Sequence, residues 1–424
     1  MKSFIYLLLL LPLPCLTKAQ APEANFDESK VPGYTLPDVL IFNNGSKVRT
    51  KSDWDKRRSE IYKLFENEVY GKSPVWNGKV EVSKISQKEN DIAGLATRKE
   101  IKLRLMNGNR SLDMNILLFL PNSVKPAPIF IGYNFDGNQA TIKDPEITIT
   151  SSWVESNIKL GVINNKATEA SRGADASNWP IKEIISRGYG LATINYNDVD
   201  PDFDDGFMNG VPSLFTQQRD SSSWANISAW AWGLSRVMDY IEKVPEIDGK
   251  KVIVIGHSRL GKTALWAAAS DQRFAMAISN MSGCAGAALS RRIFGETVEI
   301  MNRNLSWWTC DNFKKYNAKE ETLPVDQHEL LALIAPRPVY VASAEDDLWA
   351  DPKGEFLSCV AASPVYELLG LKRFPAVEMP PPDHPVMGSI GYHIRTGAHD
   401  ITLYDWERYM DFADLHFKKN KTNH

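Results

Sequence analysis

The sequence predicts an α/β fold, with helices covering both faces of a mostly parallel sheet. Apolar β-type runs recur at 128–133, 189–195, 251–255, 275–279, 338–342 and 374–379. Helix-like segments at 222–244, 258–270, 351–369 and 400–418 lie between several of them. Strands alternating with helices build parallel sheets. Residues 78–120 instead alternate apolar and polar side chains, which reads as antiparallel strands.

Residues 1–19 read as a secretory leader. Lys2 starts it, Phe4 to Leu16 is apolar, and Ala19 offers a small residue for cleavage before Gln20. The apolar run is too short to span a bilayer comfortably. Cys15 follows Pro14 rather than a small residue, so it reads as leader and not as a lipid attachment site. Losing Lys2 and Lys18 takes the formal charge from -3 to -5. The mature chain is expected to be secreted or periplasmic, with no membrane partner, and to act as a monomer. Residues 20–424 are expected to form a single catalytic domain. Its polar start, roughly 20–50, reads as a wrapping extension. Trp54, Ile61, Leu64, Phe65 and Val69 then place a helix over 52–70.

The 424 residues are 43% apolar and 24% charged, which is globular usage and excludes a disordered or fibrous chain. The 49 basic residues nearly balance 52 acidic ones, so nucleic acid is not an expected partner. Cys284, Cys310 and Cys359 are too few for a disulfide scaffold. No Cys/His spacing suggests zinc, and neither a metal nor another cofactor is expected. Twelve Trp and fourteen Tyr suit a surface that stacks on sugar rings, although most aromatics are core.

Chemistry concentrates at 251–270. Lys251-Val-Ile-Val-Ile-Gly256 is a buried strand, His257-Ser258-Arg259-Leu260-Gly261-Lys262 a turn, and Thr263 to Ser270 a helix. This strand–turn–helix is a nucleophile elbow, which lifts the Ser258 hydroxyl above the sheet. The second Gly falls one place later than in G-x-S-x-G. A serine nucleophile needs a base and an acid that orients it. Of seven histidines, His399 opens the last helix from a loop, where such a base belongs. His384 and His393 are alternatives in the same stretch, and His257 is expected to point away from the serine. The acid belongs after the strand at 338–342, where Glu345, Asp346 and Asp347 stand together; Asp347 is preferred. Asp351 precedes Pro352 and reads as a helix cap. Arg259 and Lys262 flank the serine with two cations, which suits an anionic substrate group or an oxyanion.

The run Gly256-His-Ser-Arg-Leu-Gly-Lys262 resembles the G-x-S-R-x-G-K signature of the glucuronoyl esterases, carbohydrate esterase family 15. Ser282 to Arg292, Gly295-Glu296-Thr297, Trp307-Trp308, Ile334 to Arg337, Asp347 to Pro352 and the His399 loop also resemble that family, with a weaker likeness at 132–138. The resemblance implies a three-layer α/β/α sandwich, the α/β-hydrolase fold. It implies cleavage of the ester joining 4-O-methyl-D-glucuronate of glucuronoxylan to lignin alcohols. By position, it makes Ser258 nucleophile, His399 base, Asp347 acid and Arg259 oxyanion support, with Lys262, Glu296 and Trp349 on the uronate. Many members carry a catalytic Glu where this chain has Met281, so here the acid's task falls on Asp347.

Other features are weighed against this. The acid-rich run Asp198 to Gly206 has the density of a calcium loop, but Pro201 and the missing terminal Glu favour a surface turn. Trp224, Trp230 and Trp232 read as core. Trp307 and Trp308 are candidate sugar platforms. Asn44, Asn109, Asn226 and Asn304 fit the glycan acceptor pattern. Rival readings are an acetyl or feruloyl esterase, which needs no cation pair, and a non-catalytic polysaccharide-binding protein.

Overall fold

A computed structural model describes residues 23–418. The leader expected over 1–19 lies outside the described residues. Helix α1 (Lys51–Glu68) starts at Thr50, whose side chain accepts from the Asp53 N–H while Asp53 accepts from the Thr50 N–H. It buries Trp54, Ile61 and Phe65, close to the expected span.

Strands β1 (Lys79–Asp91), β2 (Ala96–Asn107) and β3 (Arg110–Pro121) form the expected antiparallel meander. Next come β4 (Ala127–Asn134), a small hairpin of β5 (Val162–Ile163) and β6 (Lys166–Ala167), α2 (Ile181–Ser186), β7 (Gly190–Asn195) and α3 (Asn226–Ile241). Strand β8 (Ile247–His257), α4 (Arg259–Ser270), β9 (Met276–Asn280), α5 (Val298–Asn304) and α6 (Gln327–Ala332) follow. The chain ends with β10 (Val339–Ala344), α7 (Pro352–Leu368), β11 (Ile390–Arg395) and α8 (Leu403–Phe417).

The main sheet runs β1-β2-β3-β7-β4-β8-β9-β10-β11. Strand β3 pairs antiparallel with β7, and every pairing from β7 to β11 is parallel. Side chains alternate between two cores. Ile129, Ile131, Val252, Val254, Val339 and Val341 pack with α3, α4, α6 and α7, whereas Phe130, Ile253, Ile255 and Tyr340 pack with α2 and α8. Buried parallel strands read as continuous apolar runs for this reason: each face needs every second residue. Trp224 and Trp230 are buried in the first core, and Trp232 packs against it.

The expected strand at 374–379 is absent. Pro375, Pro380, Pro381, Pro382 and Pro385 crowd that stretch, and proline has no N–H to give a ladder. The last strand is β11, which pairs Ile390 with Val339. His393 therefore lies within a strand rather than a loop. It is fully buried, with Nε2 at 2.9 Å from Asp405 and Nδ1 at 3.0 Å from the Tyr340 hydroxyl.

The N-terminal segment lies along the body. The Asn25 carbonyl accepts from the Gly295 N–H at 2.8 Å, and the Pro37 carbonyl meets His328 Nε2 at 2.9 Å. Among the described residues no helix is long and apolar enough to cross a membrane.

Phe130 joins the sheet to α8: its ring lies 5.1 Å from Tyr189 and 5.5 Å from Trp406. Phe130→Ala is expected to destabilise the fold by about 3–5 kcal/mol, read as a lowered urea midpoint with unchanged slope.

Candidate active site

The strands end where the site begins. Ser258 stands between β8 and α4 with φ 57° and ψ -128°, a conformation rare for a residue with a Cβ and costing ~1–3 kcal/mol. The surroundings hold it there. Its N–H donates to the Asn280 carbonyl at 2.8 Å, and its own carbonyl accepts from Gly261 at 2.8 Å and Lys262 at 3.2 Å. Gly256 makes the turn possible, because a Cβ there would lie 1.9 Å from the Leu260 carbonyl oxygen. A Cβ on Gly261 would stand 3.1 Å from Gly256, Ser279 and Ser282 atoms, so the displaced glycine still serves close packing.

His399 follows β11 and Asp347 follows β10. Nδ1 of His399 lies 2.6 Å from Oδ2 of the buried Asp347. Glu345 and Asp346, its neighbours, are exposed. Asp351 caps α7 by accepting from Gly354 at 2.9 Å and takes Arg292 at 2.8 Å. Ser258, Arg259 and His399 line one cavity of about 280 Å³. Among the described residues, no hydrogen bond joins His399 to Ser258. His384 is elsewhere, with Nδ1 2.8 Å from the Pro382 carbonyl.

His257 does not point away as expected. Its ring lines the same cavity and lies 4.5 Å from that of His399. Asn280 donates to the Tyr409 hydroxyl at 2.6 Å and so offers its carbonyl oxygen to His257 Nδ1. Burial, and then the neighbouring His399, push the His257 pKa down to about 3. It is a neutral wall of the cavity.

Arg259 lines the cavity, donates through Nη1 to Asp202, and lies 4.9 Å over Trp308 and 5.7 Å over Phe135. Burial works hardest against its charge, but Asp202, with help from Tyr196 and Glu155, leaves the guanidinium pKa raised. Asp202 also accepts from Trp307 Nε1 at 2.9 Å, Trp308 Nε1 at 2.7 Å and the Tyr196 hydroxyl at 3.0 Å. The acid-rich run is thus not a surface turn throughout: Asp198, Asp200 and Asp202 are buried. Among the described residues no cluster of acids, histidines and cysteines could hold a metal. Trp308 is buried and Trp307 half-buried, so the pair anchors Asp202 and Trp308 offers no open stacking face.

Lys262 does not line the cavity. It is buried, donating to the Cys284 carbonyl and to Glu296 at 2.9 Å. The Trp349 carbonyl accepts from the Glu296 N–H at 2.9 Å, and the Trp349 side chain is exposed. Lys262, Glu296 and Trp349 thus meet, but none of them lines the cavity with Ser258. Asn226 is buried and donates to the Pro201 carbonyl, which removes it as a glycan acceptor in the folded chain. Cys284, Cys310 and Cys359 are free and buried.

Two carboxyls escaped the sequence reading. Glu355 accepts from the Ser282 and Gly283 N–H groups and from Ser343, tying the exit of β9 to β10, and burial pushes its pKa up to about 8. Asp175 lines the cavity and accepts from Trp179 Nε1 at 3.0 Å. Burial, and then the charge of Asp136, push its pKa up to about 7. No local motif marks either residue: Glu355 depends on Ser282 and Gly283 far along the chain, and Asp175 on its place in the cavity and on Asp136.

Residues 150–370 match the family described as glucuronyl esterase, fungi. A carbohydrate esterase of an unknown prokaryotic organism is 48% identical over 405 residues, covering 94% of this chain and 93% of that protein. A solved carbohydrate esterase family 15 (CE15) esterase from a marine bacterial metagenome, described as promiscuous, is 47% identical with a TM-score of 0.88; the match covers 93% of this chain and all of that one. The solved glucuronoyl esterase from Solibacter usitatus is 43% identical with a TM-score of 0.85, covering 92% of this chain and all of that one.

The raised pKa of Asp175 means that the fold favours its protonated form. Stability is then fullest below the ordinary carboxylate range and declines as pH rises toward 7. Asp175→Asn is expected to raise the melting temperature more at pH 8 than at pH 4. An equal change at both would show that no penalised charge resides there.

Proposed function

The chain belongs to the glucuronoyl esterases of carbohydrate esterase family 15, carboxylic ester hydrolases, and on that footing we propose that it cleaves esters between (4-O-methyl-)D-glucuronate of glucuronoxylan and lignin alcohols through a Ser258–His399–Asp347 triad. The supporting observation is the 2.6 Å contact of Asp347 with His399, on the cavity that Ser258 and Arg259 also line. Buried Met281 offers His399 no acceptor. Asp347 alone then fixes the imidazole tautomer, leaving Nε2 to take the serine proton.

Ser258 attacks the uronate carbonyl while His399 removes its proton. The tetrahedral oxyanion develops beside the start of α4, where the helix dipole is positive and Arg259 stands. His399 returns the proton to the departing alcohol, leaving an acyl-enzyme. Water, deprotonated by His399, then releases the uronate. Lys262 supports Glu296, and Glu296 with exposed Trp349 meets the ring hydroxyls of the sugar. Action outside the cytoplasm, after loss of the leader and as a monomer, suits a polymeric plant-wall substrate. A second reading, a broader esterase accepting acetyl or feruloyl groups, draws on the promiscuous relative.

Ser258→Ala is expected to abolish turnover of benzyl glucuronate with the melting curve unchanged; retained activity ends the assignment. Asp347→Asn is expected to lower kcat by ~10³–10⁴-fold through loss of the correct tautomer. Comparing benzyl glucuronate with acetylated xylan separates the two readings. Faster hydrolysis of the acetyl ester favours the second.

A further inference from the structure

We propose that Asp202 is a positioning residue, fixing the Arg259 guanidinium at the oxyanion. This rests on the reading of Arg259 given above. Arginine is a long side chain with several rotatable bonds, and useful charge stabilisation requires it to be aimed before the reaction. The Trp308 and Phe135 rings flank the Arg259 guanidinium, but a ring face fixes neither its rotation nor its hydrogen-bonding edge. Among the described residues Asp202 is the hydrogen-bonding partner of Arg259, whose Nε is buried without one.

Asp202 is built to hold still. A carboxylate has about four acceptor positions, and four donors use them. Oδ1 takes both indole N–H groups, of Trp307 and Trp308, and Oδ2 takes the Tyr196 hydroxyl and Arg259. Its side chain is 2% exposed, against 27% for Arg259. Asp202 therefore does not line the cavity or touch substrate there. The three neutral donors come from the 196 turn and the 307–308 loop, so two segments distant in sequence clamp one anion. That anion sits opposite the residue next to the nucleophile. The acid-rich run at 198–206 thereby has a use other than calcium: one of its acids is the counter-charge of Arg259.

A merely structural Asp202, pinning the tryptophan loop, is the alternative, and a double-mutant cycle separates the two. Asp202→Asn keeps an oxygen for the indoles but removes the charge facing Arg259. On benzyl glucuronate it is expected to lower kcat by ~10–10²-fold with KM within about twofold, below the ~10²–10³-fold typical of losing an oxyanion donor. In an Arg259→Ala background the same change is expected to cost less than about threefold more. Multiplying effects would overturn the proposal, because Asp202 would then act by another route. So would an unchanged kcat in Asp202→Asn beside an impaired Arg259→Ala, with the triad and oxyanion reading left intact. An unchanged kcat in Arg259→Ala would instead overturn the oxyanion reading and this inference with it. Should Asp202→Asn not fold, Tyr196→Phe removes one donor to Asp202 and keeps its charge. Its smaller fall in kcat is likewise expected to vanish without Arg259, and a fall that persists would overturn the proposal.

Discussion

The close approach of α4 to β8 is the constraint on which the rest of the site depends. Ser258 keeps a positive φ only because Gly256 leaves room for the Leu260 carbonyl oxygen. The amide of Ser258 is pinned in turn to the Asn280 carbonyl, at the end of the neighbouring strand β9. One strained residue is thus over-determined by two strands and a helix, which is the condition under which strain persists. Any loosening of this junction would move the hydroxyl relative to His399, Arg259 and the cavity at once.

Charge is distributed around that junction with little left unpaired. Asp347 faces His399, Asp202 faces Arg259, Glu296 faces Lys262 and Asp405 faces both His393 and Arg395. Desolvated charges are costly unless partnered, so Arg259 and Lys262 each carry an anion from a distant segment. The exceptions are carboxyls rather than cations. Asp175 and Glu355 resolve their burial by holding protons more tightly. His257 resolves it in the opposite sense, staying neutral under pressure from burial and from His399.

Much of this was legible in the chain. The parallel strands, the antiparallel meander, α1, the elbow and its displaced glycine all have local signals in periodicity or in residues a few places apart. The resemblance to family 15 in the elbow and the segments after it agreed with the comparisons. The misreadings have different causes. The strand set at 374–379 ignored the prolines and overlooked Ile390 to Arg395, which pairs with β10 across a connection of 45 residues. His257 was expected to face away, because strand alternation alone does not show how a ring turns past a strained neighbour.

The sequence by itself determined the layered α/β architecture and the serine turn, because backbone periodicity and steric allowance are local properties. It also narrowed the acid to three neighbours and the base to a few histidines. Tertiary structure alone decided which of those neighbours is buried against His399, since burial depends on the path of β10 and β11. It alone showed that Lys262 belongs inside with Glu296, and that Asp202 gathers Arg259, Tyr196 and two indoles. Apart from Tyr196, six residues from Asp202, those pairings join residues far apart along the chain, and electrostatic compensation acts through space with no regard to sequence order.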